Sequence, residues 1–501
     1  MNPRLALLCF LAVLTALRWW WNLGLDLPAE DAYLALCGAP ASVAYFDGPG
    51  GVPACVALGV SLFGGDAFGA AFLWPLFAVL ATFALYALVG PLAGARDALA
   101  LAVMLNLLPL FNLAALRPGS ALPLSAAALG ALVCAWRGLD KDSLLWWLAA
   151  GFLAACALLF SYGAWLLLPS LFTSMAASRR GRRHLLHPGF WLACLPSCAV
   201  FAGLLAWNAD HGWVHFIGST LKSSLSLHWS LLPGLVVAAG TVLGPLTLVA
   251  LAAAILFAWR QLTNAPKMRF LALPALVALL ASLYAGLRGQ PTQGPGLLAV
   301  VLLLPLLSSI PFRISRAATV IFMTAVFLAS ALWTVVLLAG QSRERGFIDA
   351  AVVRQIEAVA ASVASQGSPP LFLIAEDAPL ASAVAVNLSG HISTEPGHPP
   401  VYTLESAFAD SQYALWPRYD QFLDAPAPTG LAPAADPFTE QEGHNLFVGR
   451  SALYITRQAT HDLPQAITAA FGAWRLAAEI SAPDGQMLRV YFCSDYQTMP
   501  L

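Results

Sequence analysis

The sequence predicts a mainly α-helical, polytopic membrane protein of about eleven transmembrane helices followed by a small α/β domain outside the bilayer. Three observations predict it. Of 501 residues, 59% are hydrophobic and only 10% charged, against about 25% charged in a soluble domain; mean hydropathy is +0.73. From Leu5 to about Gly340 the apolar residues come in long runs divided by short polar breaks. From Gln341 onward charges and prolines are spread evenly. A water-soluble fold has nowhere to hide that much apolar surface, whereas lipid accommodates it. The shift near 340 predicts a membrane domain over 1–340, with a large first loop at 26–66, and a second domain over 341–501.

The runs that read as spans are 5–25, 67–92, 98–116, 120–136, 144–160, 163–177, 190–207, 232–258, 269–287, 296–311 and 317–340. Helices are expected because backbone groups in hydrocarbon must pair within their own segment. The first run is too long and too poor in basic residues for a signal peptide, so it reads as the first span. One set of alternate loops carries Arg4, Arg96, Arg137, Lys141, Arg179, Arg180, Arg182, Arg183, Arg260, Lys267, Arg269, Arg313 and Arg316. The other holds only Arg117, Lys222 and Arg288, with Arg18 late in the first span. The positive-inside rule then places the N-terminus in the cytoplasm of an inner (cytoplasmic) membrane. An odd number of spans places the C-terminal domain outside. Trp19, Trp20 and Trp21 fit an aromatic belt at the outer interface.

Net charge is −1, which leaves no field to recruit nucleic acid. No pair of the eight cysteines has zinc-site spacing, and most sit in apolar runs as small hydrophobes. Cys37 and Cys55 both fall in the first loop, where either a disulfide or two unpaired small residues fit. No metal ligand set is predicted.

The chemistry is expected on the outer face. Segment 26–66 carries Asp26, Glu30, Asp31, Asp47 and Asp66 and no lysine or arginine. It reads either as a solvated acidic loop or as a functional one. Arg18 lies at membrane depth, where an ionisable residue suggests function. Arg117, Lys222 and Arg288 flank span ends on the same side as the acidic loop. Each alone fits snorkelling to headgroups. Together they suit a phosphate, with arginine able to contact it in bidentate fashion. Cations would hold a lipid phosphate, and a carboxylate would act as general base on an acceptor hydroxyl.

Several stretches resemble one family in the right order along most of the chain. The first loop reads Ala29-Glu30-Asp31-Ala32-Tyr33, then Tyr45-Phe46-Asp47-Gly48-Pro49. Phe160-Ser161-Tyr162 leads into Leu166-Leu167-Leu168-Pro169. Trp207-Asn208-Ala209-Asp210-His211-Gly212-Trp213 follows, and the last domain contains Ser411-Gln412-Tyr413-Ala414-Leu415-Trp416-Pro417. This set resembles glycosyltransferase family 39, the bacterial relatives of protein O-mannosyltransferases and the aminoarabinose transferase, which have the GT-C fold.

The resemblance implies transfer of a sugar from a polyprenyl-phosphate donor to a lipid, glycan or protein acceptor on the outer face. By it, Glu30 or Asp31 is the candidate base, and Asp47 maps to the aspartate before the family's His-Pro-Pro element. Arg18, Arg117, Lys222 and Arg288 are the candidate phosphate ligands. Tyr33, Tyr45, Tyr162 and His211 are candidate contacts for acceptor or donor. His211 equally fits an interfacial histidine packed between Trp207 and Trp213. The chain departs from the family pattern at Gly48, Gly50, Gly119, Ser161 and Pro291-Thr292-Gln293-Gly294-Pro295. Those losses motivate the alternative of a catalytically degenerate member that binds lipid-linked glycan or scaffolds an envelope pathway. A transporter is a third class, disfavoured because the halves show no repeat and mid-span charges are scarce.

In the C-terminal domain, periodicity predicts a helix at 346–365, a strand at 370–375 and a helix at 380–388. Short strands are expected at 401–404, 446–448 and 453–455, a helix at 463–480 and a last strand at 487–492, with a loop at 424–444. The domain is expected to act as a lid or to bind the acceptor. Asn387-Leu388-Ser389 matches a glycosylation sequon.

Overall fold

The computed structural model describes residues 3–39, 41–176, 179–186, 188–222, 227–243, 266–289, 293–309, 324–325, 328–329, 332–336, 348–364, 371–389, 397–405, 409–421, 445–458, 463–482 and 485–497. Two compact units are present. One comprises Met1–Leu25 with Cys37–Glu344, the other Asp26–Leu36 with Arg345–Leu501. The first outer loop is thus divided: its acidic start, Asp26–Leu36, groups with the C-terminal part of the chain. The expected boundary at 340 falls outside the described residues.

The first unit is helical. α1 (Pro3–Asn22) buries Leu7 and Leu11 against Ala102, while Leu5, Leu8, Val13 and Leu17 stay exposed. A helix apolar on both its packed and its open face suits a lipid surround. After α2 (Ala29–Gly38), most of which groups with the second unit, come a minimal antiparallel hairpin of β1 (Ala44–Tyr45) and β2 (Gly48–Pro49), α3 (Gly51–Phe63) and α4 (Ala67–Ala71). The first loop is therefore more structured than its sequence suggested, because Val52–Phe63 is apolar enough to form a helix of its own.

α5 (Trp74–Ala93), α6 (Ala95–Leu107), α7 (Pro109–Leu116), α8 (Ala121–Lys141) and α9 (Leu144–Leu158) follow. A one-turn 3-10 helix, Tyr162–Leu166, leads to α10 (Leu167–Ala176), α11 (Arg179–Leu185), α12 (Pro188–Asp210), α13 (Val214–Lys222), α14 (Leu232–Leu243), α15 (Pro266–Leu287) and α16 (Gln293–Leu303). α8 packs between α5 and α9, and α12 lies against α9.

Among the described residues, Arg4–Asn22, Ala67–Pro91, Ala121–Lys141 and Pro188–Asp210 are long and apolar enough to cross a bilayer. Ala95–Leu107 and Pro109–Leu116 form a fifth span if the pair, bent by 64°, is counted as one. Other apolar helices are shorter, including Leu144–Leu158 and Ala272–Leu287. Most of the expected spans 232–258 and 317–340 lies outside the described residues.

The bend has a sequence cause. Leu108 precedes Pro109 and adopts φ −66°, ψ 130°, the extended region that a following proline imposes. The break frees carbonyls inside the membrane, where an unpaired one is costly. Asn112 Nδ2 answers this by donating to Asn106 O at 2.7 Å and Leu108 O at 3.2 Å.

The second unit is an α/β layer. α17 (Ala350–Val363) is capped by Asp349, whose carboxylate accepts from Val352 N. β3 (Phe372–Ala375), α18 (Ala378–Asn387), β4 (Tyr402–Thr403), β5 (Ala452–Thr456), α19 (Gln465–Thr468), β6 (Phe471–Ser481) and β7 (Met487–Tyr496) complete it. The sheet order is β4-β3-β5-β7-β6, with β3 parallel to both β4 and β5 and the remaining pairs antiparallel. Side chains alternate by face. Leu373, Ala375, Leu453 and Ile455 pack with α17 and α18, while Phe372, Ile374, Tyr454 and Tyr491 join an aromatic core on the other side.

Two expectations for this unit are corrected. Segment 463–480 is a short helix and then the long strand β6, because β7 supplies an antiparallel partner along nearly its full length. That pairing outweighs the helix propensity of its alanines. Residues 446–449 form a turn, with Phe447 N–H donating to the Asn445 side chain at 2.8 Å. The loop at 424–444 lies outside the described residues.

Candidate functional site

Candidate residues from the sequence fall in both units. In the second unit α2 opens with Glu30 and Asp31 in its first turn. The adjacent carboxylates differ sharply: Glu30 is exposed, whereas Asp31 is 7% exposed. Tyr33 is half-buried, and its hydroxyl accepts the Gln412 backbone N–H at 2.8 Å.

In the first unit, three of the stretches singled out in the sequence meet. The hairpin brings Tyr45-Phe46-Asp47 to a tight turn in which Tyr45 and Phe46 are buried and Asp47 is exposed. The Tyr45 hydroxyl accepts from Ser42 N at 3.1 Å. Tyr162 begins the 3-10 turn, and its hydroxyl accepts from Asn208 Nδ2 at 2.6 Å. The His215 ring lies 4.6 Å from that of Tyr162, and its Nδ1 sits 2.9 Å from Phe46 O. With Nδ1 donating to a carbonyl, Nε2 is the basic nitrogen. Asn208 is fully buried, and its Oδ1 has no hydrogen-bond partner among the described residues.

Sequence reading singled out His211 and passed over His215. His211 stacks on Trp207 at 4.1 Å with its Nδ1 2.8 Å from Trp207 O. It is an exposed interfacial histidine on one tryptophan. The signal for His215 was its place one turn beyond the Trp-Asn-x-x-His stretch, which only the turn after α12 brings back over Tyr162.

The candidate cations are separately placed. Arg18 is 3% exposed, donates through Nη2 to Asn112 Oδ1 at 2.8 Å and Asn106 Oδ1 at 3.1 Å, and lies over the Phe111 ring at 5.7 Å. It is locked inside helix packing. Arg117 is half-buried at the C-terminal end of α7. Lys222 ends α13. Arg288 follows α15, its guanidinium 5.6 Å from the Tyr284 ring centre.

Departures from the family pattern acquire local reasons. Gly50 N–H donates to Val43 O at 2.8 Å, and a Cβ there would sit 2.1 Å from Ser42 O. Neither proline nor any other side chain fits. Gly51 N–H donates to Leu159 O at 2.8 Å, where a Cβ would stand 2.4 Å from that oxygen. Ser161 caps the 3-10 turn, its Oγ accepting from Gly163 N at 3.2 Å. Gly119 offers its carbonyl to Trp74 Nε1 at 3.0 Å.

A cavity of about 200 Å³ opens beside the 3-10 turn, lined by Leu124, Ser161, Leu167, Ser170, Val277 and Leu298 among others. Apart from Ser161 and Ser170, the lining is apolar or glycine. No disulfide joins Cys37 and Cys55. Among the described residues, no three of His, Cys, Asp and Glu gather as a metal site.

The family model described as dolichyl-phosphate-mannose-protein mannosyltransferase matches residues 47–207. The crystal structure of ArnT from Cupriavidus metallidurans in the apo state superimposes with TM-score 0.60 at 14% identity over 97% of each chain. The same protein bound to undecaprenyl phosphate gives 0.61 at 15% identity, again over 97% of each chain. The apo oligosaccharyltransferase of Archaeoglobus fulgidus gives 0.53 at 12% identity over 77% of this chain and 64% of that one. A search of curated protein sequences finds no match. The chain thus matches that family model over residues 47–207 and shares the ArnT fold over nearly its whole length.

Proposed function

We propose that the protein transfers a sugar from a polyprenyl-phosphate carrier to an acceptor hydroxyl on the outer face of the inner membrane, with the N-terminus cytoplasmic. The observation that carries this reading is the mostly apolar cavity beside Ser161, lined in part by the segment that matches the family model and in part by α15 and α16. Its composition suits an isoprenoid rather than a soluble nucleotide donor. ArnT, similar in fold, has been crystallised with undecaprenyl phosphate.

In the proposed reaction Asp31 takes the proton of the acceptor hydroxyl as the oxygen forms its bond to the anomeric carbon. The bond from that carbon to the phosphate oxygen breaks, and the polyprenyl phosphate leaves with the electron pair. Arg117, Lys222 and Arg288 are assigned to the growing charge on the phosphate. Burial of Asp31 and exposure of Glu30 favour Asp31 as the base, since a carboxylate shielded from water transfers protons under the protein's control. Arg18, already bound to two asparagines, is assigned to structure. Asp47, Tyr45, Tyr162, His211 and His215 are assigned to contacts with the sugar or the acceptor.

The test is release of undecaprenyl phosphate from undecaprenyl-phosphate-linked sugars by purified protein in nanodiscs, with a panel of lipid, glycan and peptide acceptors. Asp31→Asn should lower turnover by about 10²–10⁴-fold, the usual worth of a general base, with Glu30→Gln close to native. Equal loss in both variants removes the assignment of Asp31. Binding of the lipid-linked sugar without turnover on any acceptor supports the degenerate, glycan-binding alternative instead.

A further inference from the structure

The Ser411-Gln412-Tyr413-Ala414-Leu415-Trp416 stretch has no part in the reaction as written, yet it grips the helix that carries Asp31. Ala29, Tyr33 and Leu36 lie at i, i+4 and i+7 of α2, one stripe of a helix. Ala29 belongs to the core of the second unit, and Tyr33 and Leu36 pack against it. Asp31 is two residues from Tyr33, about 200° around the helix. Its carboxylate therefore stands on the face turned away from the anchored stripe.

The anchor fixes direction as well as depth. Gln412 N–H donates to the Tyr33 hydroxyl at 2.8 Å across a separation of 379 residues. The Tyr33 ring stacks on Tyr413 with centroids 6.4 Å apart and planes 17° from parallel. Tyr413 is itself fixed: it is 2% exposed, and its hydroxyl lies 3.0 Å from Ser382 Oγ. Ser382 spends its own hydrogen on Ala378 O at 2.8 Å, so Tyr413 is the donor to it. Trp416 closes the cluster edge-on at 4.9 Å from Tyr413. A chain of hydrogen bonds and ring contacts thus runs from α18 to α2.

We propose that Tyr33, held by Gln412 and Tyr413, is a positioning residue that sets the rotation of α2 and so the placement of the Asp31 carboxylate. The catalytic meaning of this clamp rests on the reading of Asp31 as the base. α2 has 10 residues, too few to hold its own conformation in water, so its rotation is decided by what its stripe is tied to. The C-terminal unit is then the holder of the base, a role beyond that of a lid.

The test is carboxyl footprinting of the full-length protein in phosphatidylethanolamine–phosphatidylglycerol nanodiscs, using a water-soluble carbodiimide and reading Asp31 and Glu30 by mass spectrometry. In the native protein Glu30 labels faster than Asp31. In Tyr33→Ala, which loses both stack and hydrogen bond, Asp31 labelling rises about twentyfold while Glu30 changes little. Tyr33→Phe keeps the stack but loses the hydrogen bond, and raises Asp31 labelling about fivefold. Gln412→Pro removes the backbone donor together with the buried Gln412 side chain, at the first position of a 3-10 turn (Gln412–Leu415) where proline is sterically tolerated, and raises labelling about fivefold or more. In turnover of undecaprenyl-phosphate-linked sugar these variants lower kcat and leave KM unchanged.

Asp31 labelling that is the same in native, Tyr33→Ala and Gln412→Pro proteins overturns the proposal. If Tyr33→Ala does not fold, identical labelling in Tyr33→Phe, Gln412→Pro and native protein overturns it equally. A native protein that shows the expected labelling but no turnover sinks the transferase reading and leaves the clamp standing.

Discussion

Arg18 Nη2 donates to Asn112 Oδ1 at 2.8 Å and to Asn106 Oδ1 at 3.1 Å, fastening α1 to both sides of the 64° bend between α6 and α7. Asn106 Nδ2 passes the network on to Thr82 Oγ1 on α5 at 2.8 Å. The guanidinium is neutralised by dipoles alone among the described residues, with Nε and Nη1 lacking partners there. Asn112→Leu should then destabilise the protein by about 3 kcal/mol, the usual cost of orphaning a buried charge, read as thermal unfolding in detergent. Arg18→Met, which removes the charge along with its need for partners, should cost less. Turnover lost in Arg18→Met with unfolding unchanged would instead make Arg18 a phosphate ligand.

Gly50 is required by space and by its N–H. Gly50→Ala should cost about 2 kcal/mol or more through overpacking at a backbone oxygen, and Gly50→Pro should also lose the bond to Val43. Both should disturb Phe46 and so the seat of His215. The check is unfolding midpoint together with turnover. A Gly50→Pro protein of native stability would refute the hairpin argument.

Glu405 should give the C-terminal unit a pH dependence of defined sign. Burial pushes its carboxyl above the ordinary glutamate range, Asp420 adds to the rise, and the Tyr496 hydroxyl, which donates to Oε1 at 2.7 Å, and the Arg418 charge work against it. A raised carboxyl pKa means that the folded state holds the proton longer than the unfolded chain does. Stability is therefore greatest below the unfolded value and declines as pH rises through the folded one. Hydrogen exchange of β4 and β7 from pH 4 to 7 should show progressive loosening, and Glu405→Gln should flatten the profile. An equally steep profile in that variant would locate the titration elsewhere.

Cys493 is fully buried on β7, and burial pushes its thiol up to about 12. A thiol so rarely ionised should not react with N-ethylmaleimide at pH 8 in the folded protein and should react only after unfolding. Labelling of folded protein within minutes would mean that β7 opens readily.

The sequence carried further for elements than for the arrangement of the site. The long apolar runs and the strands at 372–375, 452–456 and 487–496 were legible because composition and period-2 alternation are local signals, whereas the run at 98–116 read as one span and is bent at Leu108-Pro109. β6 was misread as a helix because its alanines carry helix propensity while its partner β7 is a tertiary fact. Asn387 matches a sequon, yet its Nδ2 already donates to Ile348 O at 3.2 Å and Ala383 O at 3.0 Å. His215 escaped notice because its place just beyond the Trp-Asn-x-x-His stretch is only a faint signal, and its contact with Tyr162 depends on a turn.

By itself the sequence determined that the chain is mainly helical, apolar enough for a membrane, and ends in a small α/β part. Those conclusions depend on transfer free energies, which sum residue by residue and need no contacts. Only the tertiary structure decided that Glu30 is exposed and Asp31 buried, that Arg18 is spent on asparagines, and that Tyr33 and Gln412 meet across nearly the whole chain. Neighbouring carboxylates are alike in sequence. They are told apart by the face of the helix each occupies, and that face is set by what the helix packs against.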